Sequence, residues 1–280
     1  MEWLEEHKLP IGKWAKAFFD WLTVNAAWIF DGISIFLESL IDGILWLLQT
    51  PHPLIIVAIA AGMGYAVHRT IAFTVFVILA LLLTINQGYW EETTETLALV
   101  LAAAVVCMVA GVPIGVLGAH NPRFYAAIRP VLDLMQTIPT FVYLIPALIL
   151  FGLGMVPGLI ATVIFAIPAP IRLTQLGVSS TPKALLEAGE AFGATKSQLL
   201  WKVELPYALP QIMAGLTQTI MLSLSMVVIA ALVGADGLGV PTLRALNTVN
   251  IAQGFEVGVC IVLIAIVLDR FFRKEEGGKR

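Results

Sequence analysis

With 280 residues, 59% of them apolar and only 12% charged, and a mean hydropathy of +0.91, the chain lies far from soluble domains, which carry about 25% charge. That balance excludes a water-soluble globular domain and leaves an all-α integral membrane protein, for which no nucleic-acid partner is expected. The net charge of −3 adds little, because in a bilayer the placement of charges matters more than their sum.

Residues 1–10 are acidic and show neither a short apolar core nor a small-residue cleavage site, so no signal peptide is expected. Over residues 13–42 the polar positions Lys13, Lys16, Asp20, Asp31, Glu38 and Asp42 fall near one side of a helix. Trp14, Phe18, Trp21, Ile29, Ile33, Phe36, Leu40 and Ile44 fall on the other. Acids recurring along an aromatic-rich helix suit a helix lying in the membrane interface, since a charge in the hydrocarbon core costs roughly 2.5 kcal/mol or more. Residues 1–50 thus read as an amphipathic interfacial region, and residues 51–280 as the membrane domain.

Crossings follow the Pro51-His52-Pro53 break. Residues 54–67 form a short span ended by His68-Arg69, and residues 70–88 form a second, closed by Tyr89-Trp90-Glu91-Glu92 as an aromatic interface anchor. A third covers residues 96–119, where Gly111, Pro113, Gly115 and Gly118 predict close helix contacts and a bend. Between Asp133 and Arg172 no residue is charged, a stretch too long for one crossing of about 20 residues. Gly152, Gly154, Pro157 and Gly158 divide it into helices over residues 130–151 and 157–176. A sixth span covers residues 206–233 and a seventh residues 254–272, joined by a loop over residues 234–253. The basic residues concentrate on the side that holds the polar stretch between spans five and six, so that side reads as cytoplasmic, together with the C-terminus. Cys107 and Cys260 sit in apolar runs without metal-ligand spacing, so they read as packing residues and no metal site is expected.

The polar stretch is KALLEAGEAFGATKSQLLWKVELP, residues 183–206. Thr181-Pro182 reads as a helix start, Gly193 as a turn, and Thr195 with Gln198 as a capping box for a second short helix. Leu205-Pro206 reads as a stop before the next span. Such a helix, turn and helix offers Leu185, Leu186, Ala188 and Phe192 to a groove on a partner, while Glu187, Glu190 and Lys183 fix its register. The ordinary alternative is a surface loop that only joins two spans.

Glu187-Ala188-Gly189, then Gly193, then Val203, Leu205 and Pro206 resemble the EAA loop of ABC-importer permeases, written E-A-A, three residues, G, nine residues, I, one residue, L-P. Gly189 stands where that family usually has Ala, and Val203 where it often has Ile. The resemblance widens to LDLMQTIP at residues 132–139, FVYLIP at residues 141–146 and SMVVIAA at residues 225–231. These stretches look like the permeases of glycine betaine/proline betaine importers of the OpuA/ProU type. That family implies a type I ABC-importer transmembrane domain of about seven spans in a bacterial inner or plasma membrane. It implies two copies of the permease, a cytoplasmic ATPase dimer and an extracellular substrate-binding protein. ATP and Mg would sit on the ATPase, since no G-x-x-x-x-G-K-[ST] loop occurs here, and this chain is expected to be neither an enzyme nor a cofactor binder. Some relatives carry a fused binding domain; with eleven residues after Asp269, a separate receptor is expected.

The cargo implied is glycine betaine, proline betaine, carnitine or choline. Quaternary ammonium ligands are held in aromatic cages, yet no Trp falls at mid-membrane depth in spans three to six. Candidates for a weak, polar passage are Gln136, Thr137 and Tyr143 beside Pro139 and Pro146, with Ser223 and Ser225 on span six. The plainer alternative is that these groups bond between helices. Arg129 and Asp133, four residues apart, read as a surface pair or a gate element. An ATPase-independent secondary transporter or channel would need an intramembrane ion relay, and residues 134–171 and 205–235 hold no Asp, Glu, Lys, Arg or His.

Overall fold

The computed structural model describes residues 10–272, which are helical apart from short connections, with no strand among them. The expectation for the first nine residues, and the placement of the basic residues at 8, 273, 274, 279 and 280, fall outside the described residues. In chain order the helices are α1 (Ile11–Asn25), α2 (Ala27–Gln49), α3 (Pro53–His68), α4 (Ile71–Asn86), α5 (Trp90–His120), α6 (Pro122–Thr137), α7 (Thr140–Phe151), α8 (Met155–Ala166), α9 (Pro168–Ser179), α10 (Lys183–Ala191), α11 (Lys196–Leu199), α12 (Leu205–Ala230), α13 (Gly239–Asn247) and α14 (Ile251–Phe272).

The connections define two faces. On one, the Gly154 N–H donates to the carbonyl of Val233 at 2.9 Å, and the Leu238 N–H donates to Thr96 Oγ1 at 2.9 Å. Helix α2 lies along this face: Phe30 meets Phe151 edge-on with centroids 5.5 Å apart, and Gln49 Nε2 donates to Thr94 Oγ1 at 2.9 Å. Helix α3 leaves it at 98° and reaches the opposite face, where His68 Nε2 donates to the Arg270 carbonyl at the end of α14, 2.6 Å away.

Four helical stretches are long and apolar enough to cross a bilayer: Trp90–His120, Met155–Ser179, Lys196–Val233 and Ile251–Phe272. The bent pairs α2/α3 and α6/α7 bring the candidates to six among the described residues, and the shorter apolar helix α4 also runs between the two faces. The third expected span is longer than the composition suggests, because the helix starts at Trp90 and takes in Glu91, Glu92 and Glu95.

The segment that precedes the Pro51-His52-Pro53 break is two helices, α1 and α2, broken at Ala26. Helix α2 has three sides. Leu37 and Ile41 are buried in the core; Asp31, Glu38 and Asp42 form an exposed acidic row; Trp28, Ile29, Phe36 and Leu47 form an exposed apolar flank. An apolar flank beside an acidic row, on a helix perpendicular to the crossing that follows it, is the geometry of a segment lying in the headgroup region.

The core runs through α5, whose Ala98, Leu99, Val100, Ala102 and Ala103 are buried against α8, α12 and α14. Towards the second face α5 meets α9 backbone to backbone. A Cβ on Gly115 would lie 2.6 Å from Thr174 Cβ and 2.7 Å from the Ile171 carbonyl, so only glycine permits this approach. Several buried hydroxyls bond along their own helices, as Thr162 to Gly158 O (2.7 Å) and Thr219 to Gly215 O (2.8 Å).

Candidate functional site

Residues 183–206 project from the second face. Helix α10 has no buried residue. It ends in a Schellman closure, in which the Gly193 N–H donates to Glu190 O (2.8 Å) and the Ala194 N–H donates to Gly189 O (3.0 Å). That closure requires the left-handed conformation at Gly193, whose φ is +77°, and a side chain there would be strained. Gly189 faces the second arm, where an added Cβ would press on Leu199 Cδ2.

The second arm begins with the expected capping box: Gln198 N–H to Thr195 Oγ1 at 3.3 Å, and Thr195 N–H to Gln198 Oε1 at 2.8 Å. The first arm differs from expectation. Pro182 takes the cap position, and the Thr181 hydroxyl is buried without a partner instead of capping.

Nor does Leu205-Pro206 stop the second helix. Residues 200–204 form a single π turn that passes directly into α12, so Lys196–Val233 is one helical stretch of 38 residues. Pro206 has no N–H to give and its ring crowds the carbonyl four residues back; the widened turn before it accommodates both defects. The second arm is therefore the end of span six itself. Leu205 joins Val178, Ala208 and Ile212 in a small core with Val112 and Val116 of α5, while Pro206 is exposed.

This projection shows large apolar side chains to water among charged ones such as Lys183, Glu190 and Lys196. Phe192 is 93% exposed, Trp201 68% and Leu185 45%, with Glu187 and Ala188 also exposed. Among the described residues this face holds Arg69, Arg123, Arg129, Arg172, Lys183, Lys196, Lys202 and Arg270, and the opposite face holds Lys13, Lys16 and Arg244.

The second interruption is at Ile138–Pro139, where α6 and α7 meet at 98°. Proline pushes the residue before it out of the helical region, and Ile138 is extended (φ −66°, ψ 131°). Pro139 also cannot donate to the Met135 carbonyl. The Tyr143 hydroxyl stands in for it, 2.9 Å from Met135 O and 3.2 Å from Leu134 O. Thr137 Oγ1 donates to Leu134 O at 3.3 Å, and Gln136 is half-buried beside it. On α12, Ser223 is fully buried with its hydroxyl on Thr219 O (2.8 Å), whereas Ser225 is exposed with its hydroxyl on Met221 O (3.1 Å). Leu144 and Met226 share a small core, so the α7 end of the break packs on the stretch of α12 that carries Ser225.

Asp133 pairs across helices with Arg172 of α9, Oδ1 to Nη2 at 2.6 Å, rather than with Arg129 on its own helix. These two charges bound the uncharged stretch in the sequence. A chain that leaves one depth and returns to it brings such flanking charges together, which was the available signal. Arg129 instead lines a cavity of about 580 Å³ with Tyr125, Asp133, Gln175 and Ser179. A second pair, His120 with Glu204, also joins distant parts of the chain and had no sequence signal beyond a lone Glu in the apolar end of the projection. No cluster of three His, Cys, Asp or Glu suited to a metal occurs among the described residues.

Residues 111–273 match the family model described as "Binding-protein-dependent transport system inner membrane component". The chain is 43% identical to the glycine betaine transport system permease protein OpuAB of Bacillus subtilis (strain 168), over 94% of this chain and 93% of that one. It is 42% identical to the glycine betaine/proline betaine transport system permease protein ProW of Escherichia coli (strain K12), covering 94% and 74%. To the glycine betaine/carnitine transport permease protein GbuB of Listeria monocytogenes it is 40% identical, covering 94% of each. A solved structure of the MetNI methionine ABC transporter in an inward-facing conformation superposes with a TM-score of 0.59 over 65% of this chain and 92% of that one, at 24% identity, a likeness of fold.

Proposed function

Because the chain belongs to the family of binding-protein-dependent transport system inner membrane components, we propose that it is the membrane subunit of an ATP-driven importer of glycine betaine or a related quaternary-ammonium solute. The observation that carries the transport mechanism is the projection at residues 183–206. It is locally closed and apolar at its tip, and its second arm is continuous with a crossing helix. An ATPase dimer docks there through Glu187, Ala188, Gly189, Gly193 and Phe192, and Leu205-Pro206 mark where its movement enters the membrane. The cargo rests on the 40–43% identity to permeases named for glycine betaine.

Two copies of this chain form the passage, and a separate extracellular protein delivers the solute. Gln136, Thr137 and Ser225 line it, Tyr143 braces the break beside it, and Ser223 lies behind it in the packed interior. The face bearing the projection is cytoplasmic, as its excess of Arg and Lys indicates, and the C-terminus lies on that side. ATP and Mg are bound by the partner, so this chain contributes no catalytic residue.

The test is purification of a tagged chain with its neighbours, followed by uptake from vesicles of labelled glycine betaine, proline betaine, carnitine and choline. Retention of an ATPase and ATP-dependent accumulation of at least one of these support the reading. Accumulation that continues without ATP sinks it in favour of a secondary transporter.

A further inference from the structure

We propose that Glu204 and His120 form a positioning strut that makes α5 move with the projection. The inference rests on the docking reading above and adds a second route by which a push reaches the membrane helices.

Glu204 is the one charged side chain in the buried class among the described residues, 8% exposed, at the end of the π turn. Both its carboxylate oxygens accept from His120 Nε2, at 2.9 and 3.1 Å. His120 is the last residue of α5, a helix separated from Glu204 by 84 positions in the chain and by two crossings. A carboxylate taken out of water must be paired, and here it is the buried half of a contact whose imidazole side chain is 49% exposed. The contact ties the projection to a helix that does not border it in sequence. Nearby, α5 is held to α9 by the close approach at Gly115 and to α12 by the core around Ala208. Span five, span six and α5 consequently end on the second face as one packed unit, with the strut at its tip. Helix α6 packs on that unit where Tyr125 meets Gly118 of α5, and the exposed Asp133–Arg172 pair ties it to α9 beside the cavity. A stroke delivered to the projection thus carries α5, α9 and α12 together.

The experiment compares Glu204→Gln and Glu204→Leu in the complete importer, reading membrane level, ATPase retention, and solute taken up per ATP hydrolysed. Glu204→Gln keeps an oxygen that accepts from the imidazole N–H and is expected to stay near the parent ratio. Glu204→Leu fills the space without the bond and is expected to lower uptake per ATP by roughly tenfold or more, the effect of losing a charge-assisted hydrogen bond, with ATPase retained. A purely structural role would lower membrane level and leave the ratio unchanged.

Should Glu204→Leu fail to reach the membrane, a second experiment decides. Cysteines placed at both positions, in a background with Cys107 and Cys260 replaced by Ala, are bridged with a short bifunctional thiol reagent. The unbridged cysteine pair lacks the strut and is expected to show low uptake per ATP, and the bridge, which ties the two positions again, is expected to restore it. A ratio that bridging leaves low, or an unchanged ratio in Glu204→Leu at normal level, overturns the strut. Loss of ATPase retention by the parent chain itself would instead overturn the docking reading.

Discussion

The projection at residues 183–206 and the break at Ile138–Pro139 are both interruptions of helix, yet they are closed in different ways. The first is closed by its own neighbours: a Schellman turn, a capping box and a π turn satisfy its backbone within a few residues. The second is closed from a distance, by a hydroxyl eight residues on and by an ion pair that spans 39 positions. A locally closed element keeps its shape whatever the rest of the molecule does, which a docking surface needs. A break closed by remote partners changes shape when those partners move, which a passage needs.

The largest effect that tests this contrast is expected from Gly193→Trp. The left-handed conformation costs a non-glycine residue about 1–2 kcal/mol, and a bulky ring at the turn blocks the partner's approach. ATPase retention and uptake should each fall at least about tenfold while the protein stays in the membrane. Unimpaired uptake at normal level would falsify local closure as the basis of docking.

Phe192→Ser comes next. At 93% exposure the ring contributes little to stability, but a buried aromatic anchor in an interface is worth about 2 kcal/mol or more. Thermal unfolding should be unchanged and ATPase affinity weakened, measured by titrating the ATPase onto the purified chain.

Arg172→Gln removes the remote partner of the break. Both groups are partly exposed, so stability should change by only about 0–1 kcal/mol. Uptake should nevertheless change, because the tie between α6 and α9 is gone, and exchanging the two charges between positions 133 and 172 should restore it. Smallest is Tyr143→Phe, which removes one neutral hydrogen bond worth about 1 kcal/mol. The unfolding midpoint should drop with the transport KM unchanged; a raised KM would move Tyr143 from brace to passage wall.

Legibility in the sequence followed the same division. The turn at Gly193 and the capping box at Thr195 and Gln198 were readable because each is a rule about residues three or four apart. The spans were readable because hydrophobic length is a property of a window. What was not readable depended on pairings between windows. Asp133 found Arg172 rather than Arg129, Thr181 was buried rather than capping, and Glu204 met His120. Leu205-Pro206 was misread for a related reason. A proline near the start of a span signals a stop in isolation, whereas here a widened turn at residues 200–204 lets the helix continue, with Leu205 packed against Val178 and Ala208.

That continuity gives the molecule a lever. The stretch Lys196–Val233 is 38 residues, about 57 Å long at 1.5 Å per residue. Near its midpoint Gly215 rests on the backbone of Pro170, where an added Cβ would lie 3.1 Å from Pro170 Cα. Locked at that contact, α9 and α12 tilt as one body, and a body that turns about its middle displaces its two ends in opposite senses. Spreading at one face of the membrane is then the same motion as closing at the other.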